Sequence, residues 1–158
     1  MATSAAVPGS AQEYLAYSLG EEGFAVDILK VREIRGYEQP TRIAGAPSHI
    51  RGVIDLRGTI VPIVDMRIHA GTFDPKLDDS TVVIILDLGQ RTVGMVVDGV
   101  SDVMRIDAKD VRPVPEMAGF EADYLTGVAT HEGAMLMVVD VAALFRSMAG
   151  TAAAMEAA

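Results

Sequence analysis

The stretch from Gly52 to Asp65 recurs later in the chain, and that repetition limits the fold more than any other feature. At an offset of 75 residues, Gly52, Val53, Gly58, Val64 and Asp65 fall on Gly127, Val128, Gly133, Val139 and Asp140. The approach aligns as well, Ser48 with Asp123 and Ile50 with Leu125. An earlier window matches at an offset of 69, where Leu19-Gly20 falls on Leu88-Gly89. There Phe24, Val26 and Ile28 meet Val93, Met95 and Val97, and Val31, Glu33 and Ile34 meet Val100, Asp102 and Val103. Few residues are identical, but the apolar alternation and the glycines coincide. A chain that writes one unit twice is expected to fold as two like units and to bury an apolar seam between them.

Each copy reads as a series of short strands. Glu13–Leu19, or Thr81–Leu88, runs into a glycine turn and a second strand. A connector follows (Val31 to Ile34, or Val100 to Val103), then a loop marked by Pro40 and Pro47, or by Pro113 and Pro115. Ser48 and Asp123 are helix N-cap types, so one helical turn closed by Gly52 or Gly127 is expected next. A hairpin ends the unit. In the first copy β-branched residues flank a tight turn at Arg57-Gly58, a strand–turn–strand signal. Pro62 inside the second strand demands an edge position or a bulge. About five short strands in roughly 65 residues, with no long helix, suggest a small closed barrel. The expectation is a mainly β chain of two packed barrels, over about 13–77 and 80–146, joined by the turn-like Asp74-Pro-Lys-Leu-Asp-Asp79. The first strand could pair in either barrel. Residues 1–12 read as a disordered tail, and the alanine-rich 147–158 as a tail that extends a short C-terminal helix or frays.

Composition narrows the function. The chain has no cysteine, which excludes a disulfide scaffold and a Cys-ligated metal and fits a reducing cytosol. A formal net charge of −9 argues against nucleic acid or anionic lipid as the main partner. No Lys or Arg precedes Lys30, so no signal peptide is expected. Apolar runs such as Val82–Leu86 have strand length, well short of the roughly 20 residues of a membrane span.

Chemistry finds no obvious seat. Asp65, Asp98 and Asp140 each end an apolar run, which raises a ligand-binding or hydrolytic reading with paired carboxylates. The residues that follow them (Met66, Gly99, Val141) lack the turn such a dyad needs. The plainer reading is a carboxylate capping a strand end. His49, His69 and His131 share no ligand-like spacing. Gly89-Gln-Arg-Thr-Val-Gly94 lacks the middle glycine of a nucleotide loop and reads as a hairpin turn. The nine methionines lie in apolar runs and suit core filling. Arg57 is the better candidate: five donors and a stackable plane at the apex of an apolar hairpin suit an interface anchor, against the plain alternative of a solvated turn residue. Glu33, between Val31 and Ile34, reads alone as a solvated charge.

Taken together, these segments resemble the CheW family of chemotaxis coupling proteins. The resemblance rests on Tyr14-x-x-Tyr-Ser-Leu-Gly, on Val26 to Gly36, and on Gly52 to Asp65 with its Leu-Arg-Gly turn and Val-Pro-Ile-Val-Asp tail. Thr81–Leu86, Gly89-Gln-Arg, Val96–Val103, Arg112-Pro-Val-Pro115 and Tyr124-Leu-Thr-Gly127 extend it across residues 13–146. It implies two SH3-like five-stranded barrels and a non-catalytic adaptor with no cofactor. That adaptor would be a cytoplasmic monomer, not inserted in the membrane, joining methyl-accepting chemoreceptors to the regulatory domain of the histidine kinase CheA in membrane-associated arrays. Carried over by motif, a receptor-facing groove would include Val31, Gly52, Arg57, Gly58, Val82, Val83, Val93 and Gly94. A kinase-facing patch would include Ile28, Glu33, Ile34 and Ile43, with Met117 on the second barrel. Asp55 departs from the usual Asn before Leu-Arg-Gly and is expected to hold the Arg57 guanidinium. The same module in another kinase pathway is the alternative.

Overall fold

The computed structural model describes residues 11–69, 77–114 and 124–147. The first copy gives β1 (Ala11–Leu19), β2 (Glu22–Asp27), β3 (Val31–Gly36), β4 (Ile50–Leu56), β5 (Thr59–Asp65) and the short α1 (Met66–His69). The second gives β6 (Val82–Asp87), β7 (Thr92–Val97), β8 (Gly99–Asp107), β9 (Val111–Arg112), β10 (Leu125–His131), β11 (Ala134–Val139) and α2 (Val141–Ser147). The segments read as connectors are themselves strands, β3 and β8. Ala11 and Gln12, assigned to the tail, pair with Asp107 and Ile106.

Pairing crosses the sequence boundary. One sheet runs β3-β6-β7-β5-β4, the other β8-β1-β2-β11-β10-β9. The hairpin β1–β2 therefore sits in the sheet of the second copy, and β6–β7 in the sheet of the first. A division at residues 77–80 does not describe the strand pairing, because each copy lends its first hairpin to the other. The offset equivalences hold under this exchange, since β5 pairs in parallel with β7 as β11 does with β2. Each sheet curls back on itself at equivalent places, through a bridge between Thr41 and Val53 and through Arg112 opposite Val128.

Alternation along the strands divides the core into three. Leu56, Val61, Ile63, Val83, Ile85 and Val96 fill the first barrel. Ala25, Ile106, Ala129, Leu136 and Val138 fill the second. The largest cluster is the seam between them, where Leu15, Tyr17 and Val26 meet Val64, Ile84, Leu86, Met95 and Val97 under Val141, Leu144 and Phe145 of α2. Tyr17 and Phe24 stack there with ring centroids 5.4 Å apart. Each Ile or Leu buried this way contributes about 1.5–3 kcal/mol, so the seam is a main source of stability.

The first-copy helical turn is absent. Ile50 N–H instead bonds Pro47 carbonyl at 3.0 Å, a single β-turn, and Gly52 lies inside β4. The matching turn of the second copy, with Asp123, lies outside the described residues. Gly52 serves a bulge that leaves Arg51 unpaired between Ile50 and Gly52, and Gly127 follows the equivalent bulge at Thr126. Pro62 needs no edge. Val53, opposite it, directs both its N–H and C=O to Thr41 at 2.9 Å, and the β5–β7 ladder begins at Ile63. The missing proline donor therefore faces neither ladder.

Candidate functional site

The candidate site is the end of the first barrel where β3 begins, β6 ends and the β4–β5 turn projects. Arg57 and Gly58 have φ of 52° and 93°, as a two-residue type I′ turn requires. Glu132 and Gly133 repeat this at 50° and 81°. For a non-glycine residue that backbone costs about 1–2 kcal/mol, so the Arg57 side chain is held out on a strained apex. It is 68% exposed and ion-paired through Nη2 to Glu33 Oε2, on the facing edge strand β3. That bond from Arg57 holds the Glu33 carboxyl below the usual carboxylate range. Asp55 does not hold Arg57. It accepts the Gly58 N–H at 2.8 Å and so fixes the turn. Arg32 Nη1 bonds Thr92 Oγ1 at 3.3 Å on the same end of the barrel.

Exposed aliphatic residues lie on the same segments of chain, Ile34 next to Glu33 on β3, Ile60 near the start of β5 and Leu29 just before β3. Ile34 is 43% exposed, Ile60 62% and Leu29 83%. An anchored charge beside exposed aliphatic surface suits protein docking better than catalysis.

Glu33 and the Arg57-Gly58 turn thus come together, with Ile34 exposed on the other face of β3, and the ion pair joins two residues that the resemblance divides between partners. Val83, Val93 and Gly94 do not join them. Their strands are covered on both faces, by the barrel interior and by the seam, so these positions support the site from within. Gly52 is buried against the Thr41 carbonyl and offers no surface. Val31, Val82 and Ile28 are half-buried against the seam cluster. Ile43 lines a separate hollow of about 420 Å³ with Tyr37, Pro47, Ile50 and Leu77. Met117 lies outside the described residues. Sequence reasoning missed Ile60; its signal was an aliphatic residue just after the turn, out of phase with buried Val61 and Ile63.

The strand-end aspartates have other work. Asp65 is fully buried, with Oδ1 accepting the Arg67 N–H and Nε at 3.0 Å each, and Oδ2 accepting Arg67 Nη2 at 3.0 Å and Arg51 Nε at 2.9 Å. Burial pushes its carboxyl up, but the bonds from Arg67 and Arg51 outweigh burial and hold it below the ordinary value. Asp98 accepts Arg67 Nη1 at 3.4 Å and the Gly20 N–H at 2.6 Å. A guanidinium, not a shared proton, stands between these two carboxylates. Asp140 caps α2 through the Ala143 N–H at 3.1 Å. Among the described residues no three His, Asp or Glu side chains are grouped to hold a metal ion. No helix among them is long and apolar enough to cross a membrane.

Known proteins agree with this architecture. The chain is 50% identical to the chemotaxis protein CheW of Klebsiella aerogenes over 137 residues, covering 86% of this chain and 82% of that one. It is 36% identical to the CheW of Rhizobium meliloti, covering 86% and 88%. The crystal structure of scaffolding protein TtCheW from Thermoanaerobacter tengcongensis superposes with a TM-score of 0.76 at 27% identity, covering 83% of this chain and 90% of that one. The CheW-like domain profile matches residues 13–149, the span that carries both exchanged hairpins and the strained arginine turn, and the chain belongs to that family.

Proposed function

We propose that this chain is a non-catalytic adaptor that couples methyl-accepting chemoreceptors to the histidine kinase CheA. The observation that carries the reading is the first-barrel rim: Arg57 on a strained turn, tied to Glu33, on strands that also expose Ile34 and Ile60. Relatives of this chain are named as chemotaxis and scaffolding proteins, which fits a role in assembly. The strand-end carboxylates are committed to arginine and to a helix cap, which leaves them no hydrolytic pairing. Scaffolding needs only modest individual contacts, because many copies in one array gain avidity through effective concentration. Signal passes where receptor states differ in affinity for the adaptor–kinase unit.

Co-sedimentation with receptor-bearing membranes, with and without the kinase, tests this. The adaptor is expected to pellet only with receptor, and to carry the kinase down. An adaptor that stays in the supernatant under every condition refutes the reading.

A further inference from the structure

We infer that the two barrels are one cooperative unit, in which neither opens without the other, and that this reciprocal completion links surfaces on opposite barrels. The observation is the hairpin exchange. The middle of each curled sheet comes from the other copy: β6–β7 between β3 and β5, and β1–β2 between β8 and β11. Removing either copy from its place takes two central strands out of the other's barrel. It also strips the seam, since Tyr17 and Val26 from one exchanged hairpin pack with Ile84, Leu86 and Met95 from the other.

The crossing points are pinned together. Asp98 lies in the single-residue corner between β7 of the first barrel and β8 of the second. Its backbone N–H bonds the Ser18 carbonyl at 3.1 Å, and its carboxylate takes the Gly20 N–H at the β1–β2 turn. The same carboxylate meets Arg67, which is buried against Asp65 at the end of β5. One residue thus ties the turn of one exchanged hairpin, the exit of the other and, through Arg67, the end of β5 in the first barrel. Because no barrel has a private opening equilibrium, a partner that holds one barrel closed also protects the other.

Native-state hydrogen exchange on the full chain tests this. The slowest amides of β4 and β5 and those of β10 and β11 are expected to share one opening equilibrium. Val138→Ala, confined to the second barrel's interior, is expected to lower protection in β4 and β5 by the same factor as in β10 and β11, about tenfold or more. Loss of protection confined to β10 and β11 would overturn the inference. Should Val138→Ala not fold, the parent still decides the matter: two distinct protection plateaus, one per sheet, would equally overturn it.

Discussion

Gly52→Ala should destabilise the whole fold rather than trim a binding surface. A Cβ at Gly52 would lie 2.1 Å from the Thr41 carbonyl oxygen, 2.7 Å from its carbon and 3.2 Å from Arg42 Cα. The oxygen must retreat by about 1 Å or more to reach van der Waals contact. That retreat breaks the reciprocal Thr41–Val53 bonds, each 2.9 Å, which close the first barrel. Two hydrogen bonds contribute about 1 kcal/mol each. A φ of +142° adds about 1–3 kcal/mol for a residue with a Cβ. The sum, about 3–5 kcal/mol, is a large part of a domain's stability of about 5–15 kcal/mol. With a urea slope of about 2 kcal/mol per molar, the midpoint should fall by about 2 M. Gly58→Ala is the control. Its φ is +93° but its Cβ would meet open space, so backbone strain alone, about 1 kcal/mol, applies. Urea unfolding followed by circular dichroism measures both. If Gly52→Ala stays within about 1 kcal/mol of the parent, or matches Gly58→Ala, the close approach at Thr41 does not govern this position.

Other expectations follow from the same geometry. Asp65→Asn takes the fully buried carboxylate away from Arg67 and Arg51 and should cost about 3–5 kcal/mol in denaturant unfolding, whereas a loss below about 1 kcal/mol would contradict the buried network. The parent's stability should fall as pH drops below about 4, because the folded Asp65 carboxyl titrates below the unfolded one; the contribution is present above the unfolded value and lost through the folded one. That acid limb should flatten in Asp65→Asn, and an unchanged pH profile would refute the assignment. Asp140→Ala removes the α2 cap and should lower stability by about 1 kcal/mol, read as a small fall in melting temperature. Arg57→Gly removes an exposed ion pair and relieves a strained turn, so its melting should stay within about 1 kcal/mol of the parent; a larger loss would make Arg57 a structural residue.

Much of this architecture was legible in residue order. The glycine positions and period-two apolar pattern located the hairpins, and the duplication foretold two like units. The exchange was not legible, because alternation states which face of a strand is buried and not which strand lies beside it. The resemblance puts Val83 and Val93 in a groove, although the unbroken run Val82–Leu86 already signals a strand covered on both faces. Gly52 and Gly127 suit helix caps on sequence alone; the need for glycine is real, but its cause is a bulge beside a crossing backbone. Glu33 looked like a solvated charge because its partner lies 24 residues away, on the far edge of the same curled sheet. Arg67 gave no signal at all, since nothing in its neighbours distinguishes a buried arginine from a surface one.

The most direct measurement is co-sedimentation of the parent and Arg57→Gly with receptor membranes and kinase, beside thermal melts of both. The coupling account predicts equal melting, receptor-dependent pelleting of the parent with the kinase, and weakened pelleting of Arg57→Gly. Equal pelleting of the two proteins, or pelleting without receptor, would contradict it.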